Sequence, residues 1–409
     1  MNIISIFRRK SNQNEVLQQS NDQIRQIRLS GSKIEPKLEY KKEERKTVLI
    51  NPIMAGSRKL GHGITQKLND YGSNTGNMLF VEAMKEQLNY VRELSPGPQR
   101  GTSLDFCNMV IPSSNFIIRG DTLFIERLQQ LLDTTKGLVT MAGLGAQSNA
   151  KDDTPKRLVA DLKPYKIKFF KDLSERAVSL GVRGEFTAAC LEKMGIYNYR
   201  IIGCPSAYHQ FDGVFRVNEP SAGKCLFNVT TKNSYESKIV QLGMQKNSKW
   251  IMQMMTELPL VASGEQKMTE QEFNTYFPNM NIPKEELVEY MKKNAHIFFT
   301  YEDWVNYLQD NKFTFSFGSR FHGNMFSLRN GIPALWITHD SRTSELVRTL
   351  HLPSIDYSVL SKVNDIEELI PYCNYDEHRS AYKKMTENYV QFLEENGLNH
   401  KFKLHQDTI

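Results

Sequence analysis

Apolar and polar positions along this chain switch between a two-residue and a helical period, and the switches outline the fold. Phe313, Phe315 and Phe317 alternate with Thr314 and Ser316, the pattern of a strand with two different faces. Gly318 and Ser319 interrupt it. Phe321, Met325 and Leu328 then recur at i, i+4 and i+7, a buried helical stripe with Ser319 as its natural N-cap. Asn330-Gly331 stops the helix, Pro333 forbids its continuation, and residues 334–337 form the next buried strand. The unit is strand, turn, helix, strand, the repeat of an α/β protein.

The same punctuation recurs on both sides. Residues 47–50, 107–111, 137–141, 178–182 and 199–202 read as strands, and so do 225–229, 250–254 and 297–299. Between them lie helical patterns at 80–88, 185–194, 238–244, 284–293 and 301–308, with a last helix over Asp376–Glu395. Met252, Met254 and Met255 fit core packing. A turn-rich connection around residues 210–222 separates two such series. The predicted organisation is a polar basic arm (1–45), a first α/β domain (46–215), a second (222–375), and a C-terminal helix (376–399) crossing back toward the first. A chain of 409 residues suits two domains, each with its own core.

Composition changes this picture in one place. The net charge is +6, and residues 1–49 hold 11 Lys/Arg against 6 Asp/Glu, so most of the excess is in the arm. The arm reads as a solvated tail or, through Ile3, Ile4, Ile6, Phe7, Arg8, Arg9 and Lys10, as a contact with an anionic membrane surface. No run approaches the roughly eighteen apolar residues of a membrane span. The opening MNIISIFRRK is too short and wrongly ordered for a secretory signal, so a cytoplasmic protein is expected, peripheral at the inner membrane face if the arm binds lipid. Five cysteines without metal-ligand spacing suit buried thiols in a reducing compartment and suggest no metal.

The candidate chemistry sits in residues 318–333, GSRFHGNMFSLRNGIP. On a helical wheel Arg320 and His322 flank the apolar stripe by roughly 100° on either side. The helix start supplies partial positive charge, Arg320 a bidentate donor, and His322 a group able to move a proton. Phosphate or carboxylate binding is the natural use; a structural salt bridge and a satisfied histidine are the plain alternative. Arg183, at the exit of the 178–182 strand, is a second well-placed cation, or a partner of Glu185. Gly145, in the Gly143-Leu144-Gly145-Ala146 loop, lies where open α/β sheets bind ligands. That loop lacks the dinucleotide fingerprint and the acidic residue that should follow it, so no nicotinamide cofactor is expected. A glycine- and asparagine-rich loop over residues 61–77 allows a ligand to approach the backbone.

Together with residues 334–346, ALWITHDSRTSEL, this stretch resembles the polysaccharide pyruvyl transferase family. Gly318, Arg320, His322, Gly323, Gly331, Pro333, Asp340 and Arg342 follow the family's order, and Phe298, Glu302 and Trp304 resemble the segment before it. Asn74, Gly76 and Asn77 resemble its amino-terminal Asn-x-Gly-Asp, with Asn77 in place of the acid. The resemblance implies two Rossmann-like domains facing a cleft, a GT-B-like architecture. It implies transfer of the enolpyruvyl group of phosphoenolpyruvate, with no further cofactor, onto hydroxyls of a sugar or lipid-linked oligosaccharide, closing a ketal. In that reading Arg183 and Arg320 hold the anion, Arg342 adds a third positive charge on the substrate or pairs with Glu345, and His322 does acid–base work or contacts the phosphate. Asp340 orients His322 or binds a sugar hydroxyl, and Phe321, Asn74, Gly76, Asn77 and Gly145 line the substrates. Nucleic acid is not an expected partner. A GT-B glycosyltransferase using a nucleotide sugar, and a non-catalytic glycan-binding member of the family, are the rival readings.

Overall fold

The structure is a computed structural model that describes residues 45–53, 63–99, 104–120, 123–147, 154–229, 234–254, 258–338 and 340–404. The arm up to residue 44 lies outside the described residues, as do Gly61, His62, Met255, His339 and the chain from residue 405. Within the unit Lys41–Ile409 the described strands form two sheets.

The first sheet holds β1 (Lys46–Ile50), β2 (Tyr90–Leu94), β3 (Cys107–Pro112), β4 (Asn115–Ile117), β5 (Leu138–Ala146), β6 (Leu180–Val182) and β7 (Tyr199–Ile201). Their order is β2-β1-β3-β5-β6-β7, with β4 on β5. The second holds β8 (Cys225–Asn228), β9 (Lys249–Met252), β10 (Ala295–Ile297), β11 (Phe315–Gly318), β12 (Ala334–Thr338) and β13 (Ser354–Asp356), in the order β10-β9-β8-β11-β12-β13. Every pairing is parallel. Parallel neighbours need crossovers, and the crossing helices cover both faces, so β8 and β11 are buried throughout. The alternation over residues 313–317 therefore separates no wet face from a dry one. Ser316 is as buried as Phe315, and its hydroxyl donates to Asn324 Oδ1 at 2.9 Å.

Two parallel sheets flanked by helices make a two-lobed, GT-B-like α/β architecture. In the second lobe the chain enters at β8, steps outward to β9 and β10, then returns to the other side at β11. That order leaves a crevice between the ends of β8 and β11, the position at which doubly wound sheets take ligands. One apolar core covers one face of the first sheet, with Ile111, Met141, Phe169 and Leu191. The other runs from Leu49, Phe80 and Ile202 of the first lobe without interruption to Phe227 and Trp336 of the second. The lobes are joined by packing as well as by chain.

The last helix, Asp376–Glu395, is 20 residues and so about 30 Å long. It starts on the second lobe, where His378 Nδ1 donates to Leu350 O at 2.6 Å, and ends on the first, where Glu395 pairs with Arg200 at 2.7 Å. Residues 63–77 differ from a plain loop: a short helix, Ile64–Asp70, precedes a tight turn at Thr75–Asn77, which feeds the helix Met78–Gln87.

Candidate active site

The turn after β11 is built by a partner far away in sequence. A Cβ on Gly318 would lie 2.0 Å from the Asn228 carbonyl oxygen, so only glycine lets β11 pass the end of β8 there. Asn228 Oδ1 accepts from the Arg320 amide at 2.8 Å, and its Nδ2 donates to Asn324 Oδ1 at 2.7 Å. Asn324 Nδ2 in turn donates to Gly318 O at 3.1 Å and Leu335 O at 3.0 Å. A buried polar network with each member paired fixes one geometry, because any rearrangement strands a polar group away from water. The helix runs Phe321–Arg329, and its N-cap is Arg320, in extended conformation, with no side-chain cap. Ser319 is therefore not the cap. Asn228 has taken over the amide of residue 320, which places Arg320 before the helix and His322 on its first turn. With no cap and no acidic residue there, the first-turn amides are open to an anion. The helix is buried from Phe321 to Leu328, not along a stripe alone.

Arg320 is 5% exposed. Its Nε donates to Val229 O at 3.4 Å, and its Nη2 has no hydrogen-bond partner among the described residues. Burial, then the charge of Arg342, lowers its pKa to about 10, against the pull of Glu236 and Asp340. Arg183, at the exit of β6, is 3% exposed and bonded through each side-chain nitrogen: Nε with Gly143 O at 2.9 Å, Nη1 with Asn115 Oδ1 at 2.8 Å, Nη2 with Ser113 O at 3.4 Å. Gly143 and Gly145 lie inside β5, at a register irregularity, and not in a loop beyond it. Gly143 has φ +84, which turns its carbonyl out of the ladder, and a Cβ on Gly145 would stand 2.8 Å from Arg183 Cδ. These glycines seat Arg183. Glu185 makes none of its bonds.

His322, 8% exposed, lies between the lobes. Its Nε2 is 3.6 Å from Cys204 Sγ of the first lobe, and its ring packs on Phe80 at 5.7 Å and Phe321 at 5.4 Å. Burial, then the charges of Arg183, Arg342 and Arg320, holds its pKa well below the ordinary histidine value. Buried among those arginines, the imidazole is neutral at neutral pH. In that state it accepts a proton and does not supply one. Cys204 stands beside Pro205 in the sequence, and nothing local marks its approach to His322.

Other candidates are tied into the scaffold. Asp340 Oδ1 caps the helix Ser341–Thr349 by accepting from Thr343 N at 2.7 Å, and Asp340 pairs with Arg342 at 3.2 Å. Glu345 reaches the first lobe instead of Arg342, accepting from Thr187 N at 2.8 Å and Thr187 Oγ1 at 3.0 Å. Asn74 Oδ1 accepts from Gly76 N at 3.0 Å, and Asn77 Nδ2 donates to Tyr71 O at 2.9 Å, so both asparagines shape the turn. Gly76 presses against the site: a Cβ there would lie 3.2 Å from His322 Cβ and 2.4 Å from Gln253 Oε1. Gln253, just past β9, is a residue the sequence reading passed over. Its one signal was position, a polar residue at the C-terminal end of a buried parallel strand. Among the described residues no group of three or more His, Cys, Asp or Glu side chains is arranged to hold a metal ion.

Comparison with known proteins adds to this geometry. A search of curated proteins finds no match. Among solved structures the chain is similar to an uncharacterized protein from Klebsiella pneumoniae, at 8% identity over 74% of this chain and 87% of that one, with TM-score 0.37. It is also similar to Os79 from O. sativa in complex with U2F and trichothecene, at 11% over 86% and 99%, TM-score 0.38. The wall teichoic acid polymerase TagF matches at 13% over 85% and 84%, TM-score 0.30. Such scores describe a distant likeness of outline alone. The family model for polysaccharide pyruvyl transferase matches residues 160–341, a span that contains Arg183, Gln253, Arg320, His322 and Asp340. Over that span, which holds both cations and the histidine between them, the chain is similar to the polysaccharide pyruvyl transferase family.

Proposed function

We propose that the protein transfers the enolpyruvyl group of phosphoenolpyruvate to two hydroxyls of a sugar in a cell-surface polysaccharide or its lipid-linked precursor. The observation that carries this reading, beside the family-model match over residues 160–341, is the buried Nη2 of Arg320, without a partner among the described residues, at an uncapped helix start. A cation buried that way is costly unless an anion completes it. In the reaction one sugar oxygen bonds to C2 of the enolpyruvyl group while C3 takes a proton. The C2–O bond to phosphate breaks, and the second oxygen closes the ketal. The two hydroxyl protons end on C3 and on the released phosphate. Neutral His322 is the base for a hydroxyl, and Arg320, with the helix amides, holds the departing phosphate.

A nucleotide-sugar glycosyltransferase is the second reading, favoured by the crevice between β8 and β11, which also suits a diphosphate. Release of inorganic phosphate from phosphoenolpyruvate, dependent on a galactose- or mannose-type acceptor, supports the first. Release of nucleotide from a sugar nucleotide, with phosphoenolpyruvate inert, replaces it. In either case the protein acts in the cytosol, with its basic arm available to the inner membrane face.

A further inference from the structure

Gln253 is 2% exposed, and neither its Nε2 nor its Oε1 has a partner among the described residues. Beside it Thr75 is fully buried, and its Oγ1 is also unpaired. The two are held together across the lobes, since Thr75 N donates to Gln253 O at 2.7 Å. A buried primary amide left wholly unpaired is unfavourable, because each group has lost water without gaining a replacement. The surroundings make way for it on both sides. A Cβ on Gly76 would lie 2.4 Å from Oε1, and one on Gly323 would lie 2.2 Å from Nε2. Two glycines from two lobes thus leave room for one carboxamide next to His322.

From this we infer that Gln253 and Thr75 form the subsite for a sugar hydroxyl of the acceptor, adjoining the anion site at Arg320. The assignment rests on the pyruvyl transfer reading for the identity of the second substrate. The chemistry of the groups selects the ligand. A phosphate or carboxylate only accepts, so it satisfies Nε2 and Thr75 Oγ1 and leaves Oε1 stranded. A hydroxyl donates to Oε1 and accepts from Nε2 or Thr75 Oγ1, and adjacent hydroxyls on a sugar ring engage all three. Arg320 has the opposite character, donors alone, and takes the anion. The subsite therefore lies at the seam of the lobes, with the second lobe supplying an acceptor contact as well as the anion contacts.

The test uses the full chain with Gln253→Met, which keeps length and removes both polar atoms, and Thr75→Val, which keeps shape and removes the hydroxyl. Thermal unfolding is followed without ligand, with galactose, with mannose, and with phosphoenolpyruvate, alongside phosphate release. The expected result has three parts. Without ligand both variants melt at or above wild type, since unpaired buried groups are gone. At least one sugar raises the wild-type melting temperature, and that shift disappears in Gln253→Met. The KM for the sugar rises by about ten- to a hundredfold while the KM for phosphoenolpyruvate stays within about twofold. A melting temperature several degrees below wild type in Gln253→Met shows a structural amide and overturns the inference, as does an equal sugar shift in wild type and variant, or no sugar shift in wild type. The two readings fail separately. Sugar shifts that depend on Gln253, without phosphate release or a phosphoenolpyruvate shift, remove pyruvyl transfer and keep the hydroxyl subsite. Phosphate release with the same sugar KM in wild type and Gln253→Met does the reverse.

Discussion

Arg183 and Arg320 are both buried arginines at the C-terminal ends of parallel strands, one in each lobe, yet the structure treats them in opposite ways. Each of the three nitrogens of Arg183 donates to a neutral acceptor, from Gly143, Asn115 and Ser113. Among the described residues the Arg320 side chain has one long bond, to Val229 O, and an Nη2 without a partner. A cation with every side-chain nitrogen already bonded offers a ligand mainly its field; a cation with an unbonded nitrogen offers field and grip together. Arg183 thus acts as a fixed charge toned by its anchors, and Arg320 as the group that grips the anion. His322 lies within the field of both.

The largest effect follows from removing the group between them. His322→Gln lowers turnover by on the order of a hundredfold or more, measured as acceptor-dependent phosphate release, while binding of phosphoenolpyruvate persists. His322→Ala is the poorer probe. The ring packs between Phe80, Phe321 and Cys204, so alanine leaves a cavity and lowers the melting temperature along with activity. Although His322 flanks the apolar stripe on a helical wheel, the helix is buried from Phe321 to Leu328.

The next effect contrasts the arginines directly. Arg320→Lys weakens phosphoenolpyruvate about ten- to a hundredfold by calorimetry, from loss of the fork, with little change in melting temperature. Arg183→Lys gives the inverse pattern. It strands acceptors at Asn115, Gly143 and Ser113, destabilises the fold by about 1–3 kcal/mol in denaturant unfolding, and weakens the anion only several-fold. Equal affinity losses in the two variants would erase the distinction between grip and field.

The smallest effect is on pH dependence. Burial and three arginines depress the pKa of folded His322 below the ordinary value of about 6.5, so between the two values the unfolded chain binds more protons. Stability is complete above pH about 6.5 and is lost as pH falls below it. His209, pushed down to about 3, and His378, pushed down to about 4, both chiefly by burial, act with the same sign. His322→Gln makes the slope of unfolding free energy against pH shallower in that window, by up to about 1.4 kcal/mol per pH unit. An unchanged slope means that His322 is charged in the folded protein.

What the sequence made legible was what local pattern encodes. The strand ending at Gly318, the helix stopped by Asn330-Gly331 and the last helix all follow from period and punctuation, since these depend on residues within a few positions of one another. What it hid was set by distant partners. The cap moved from Ser319 to Arg320 because Asn228, 92 residues earlier, holds the amide of Arg320. The Gly143 and Gly145 pair reads as a ligand loop until Arg183 is seen seated on it. Cys204 and Gln253 have no local signature; only the meeting of lobes brings them to His322 and Gly76. A polar residue closing a buried parallel strand, as Asn228 and Gln253 do, is the one trace the sequence carried.

The contrast between a committed and an uncommitted arginine is tested most directly by the melting-temperature shift that phosphoenolpyruvate produces in wild type, Arg320→Lys and Arg183→Lys, with uridine diphosphate as the comparison ligand. The account predicts a clear rise in wild type with phosphoenolpyruvate, most of that rise retained in Arg183→Lys relative to its own lower baseline, and nearly all of it lost in Arg320→Lys. A rise that survives in Arg320→Lys and vanishes in Arg183→Lys, or one that uridine diphosphate produces and phosphoenolpyruvate does not, contradicts it.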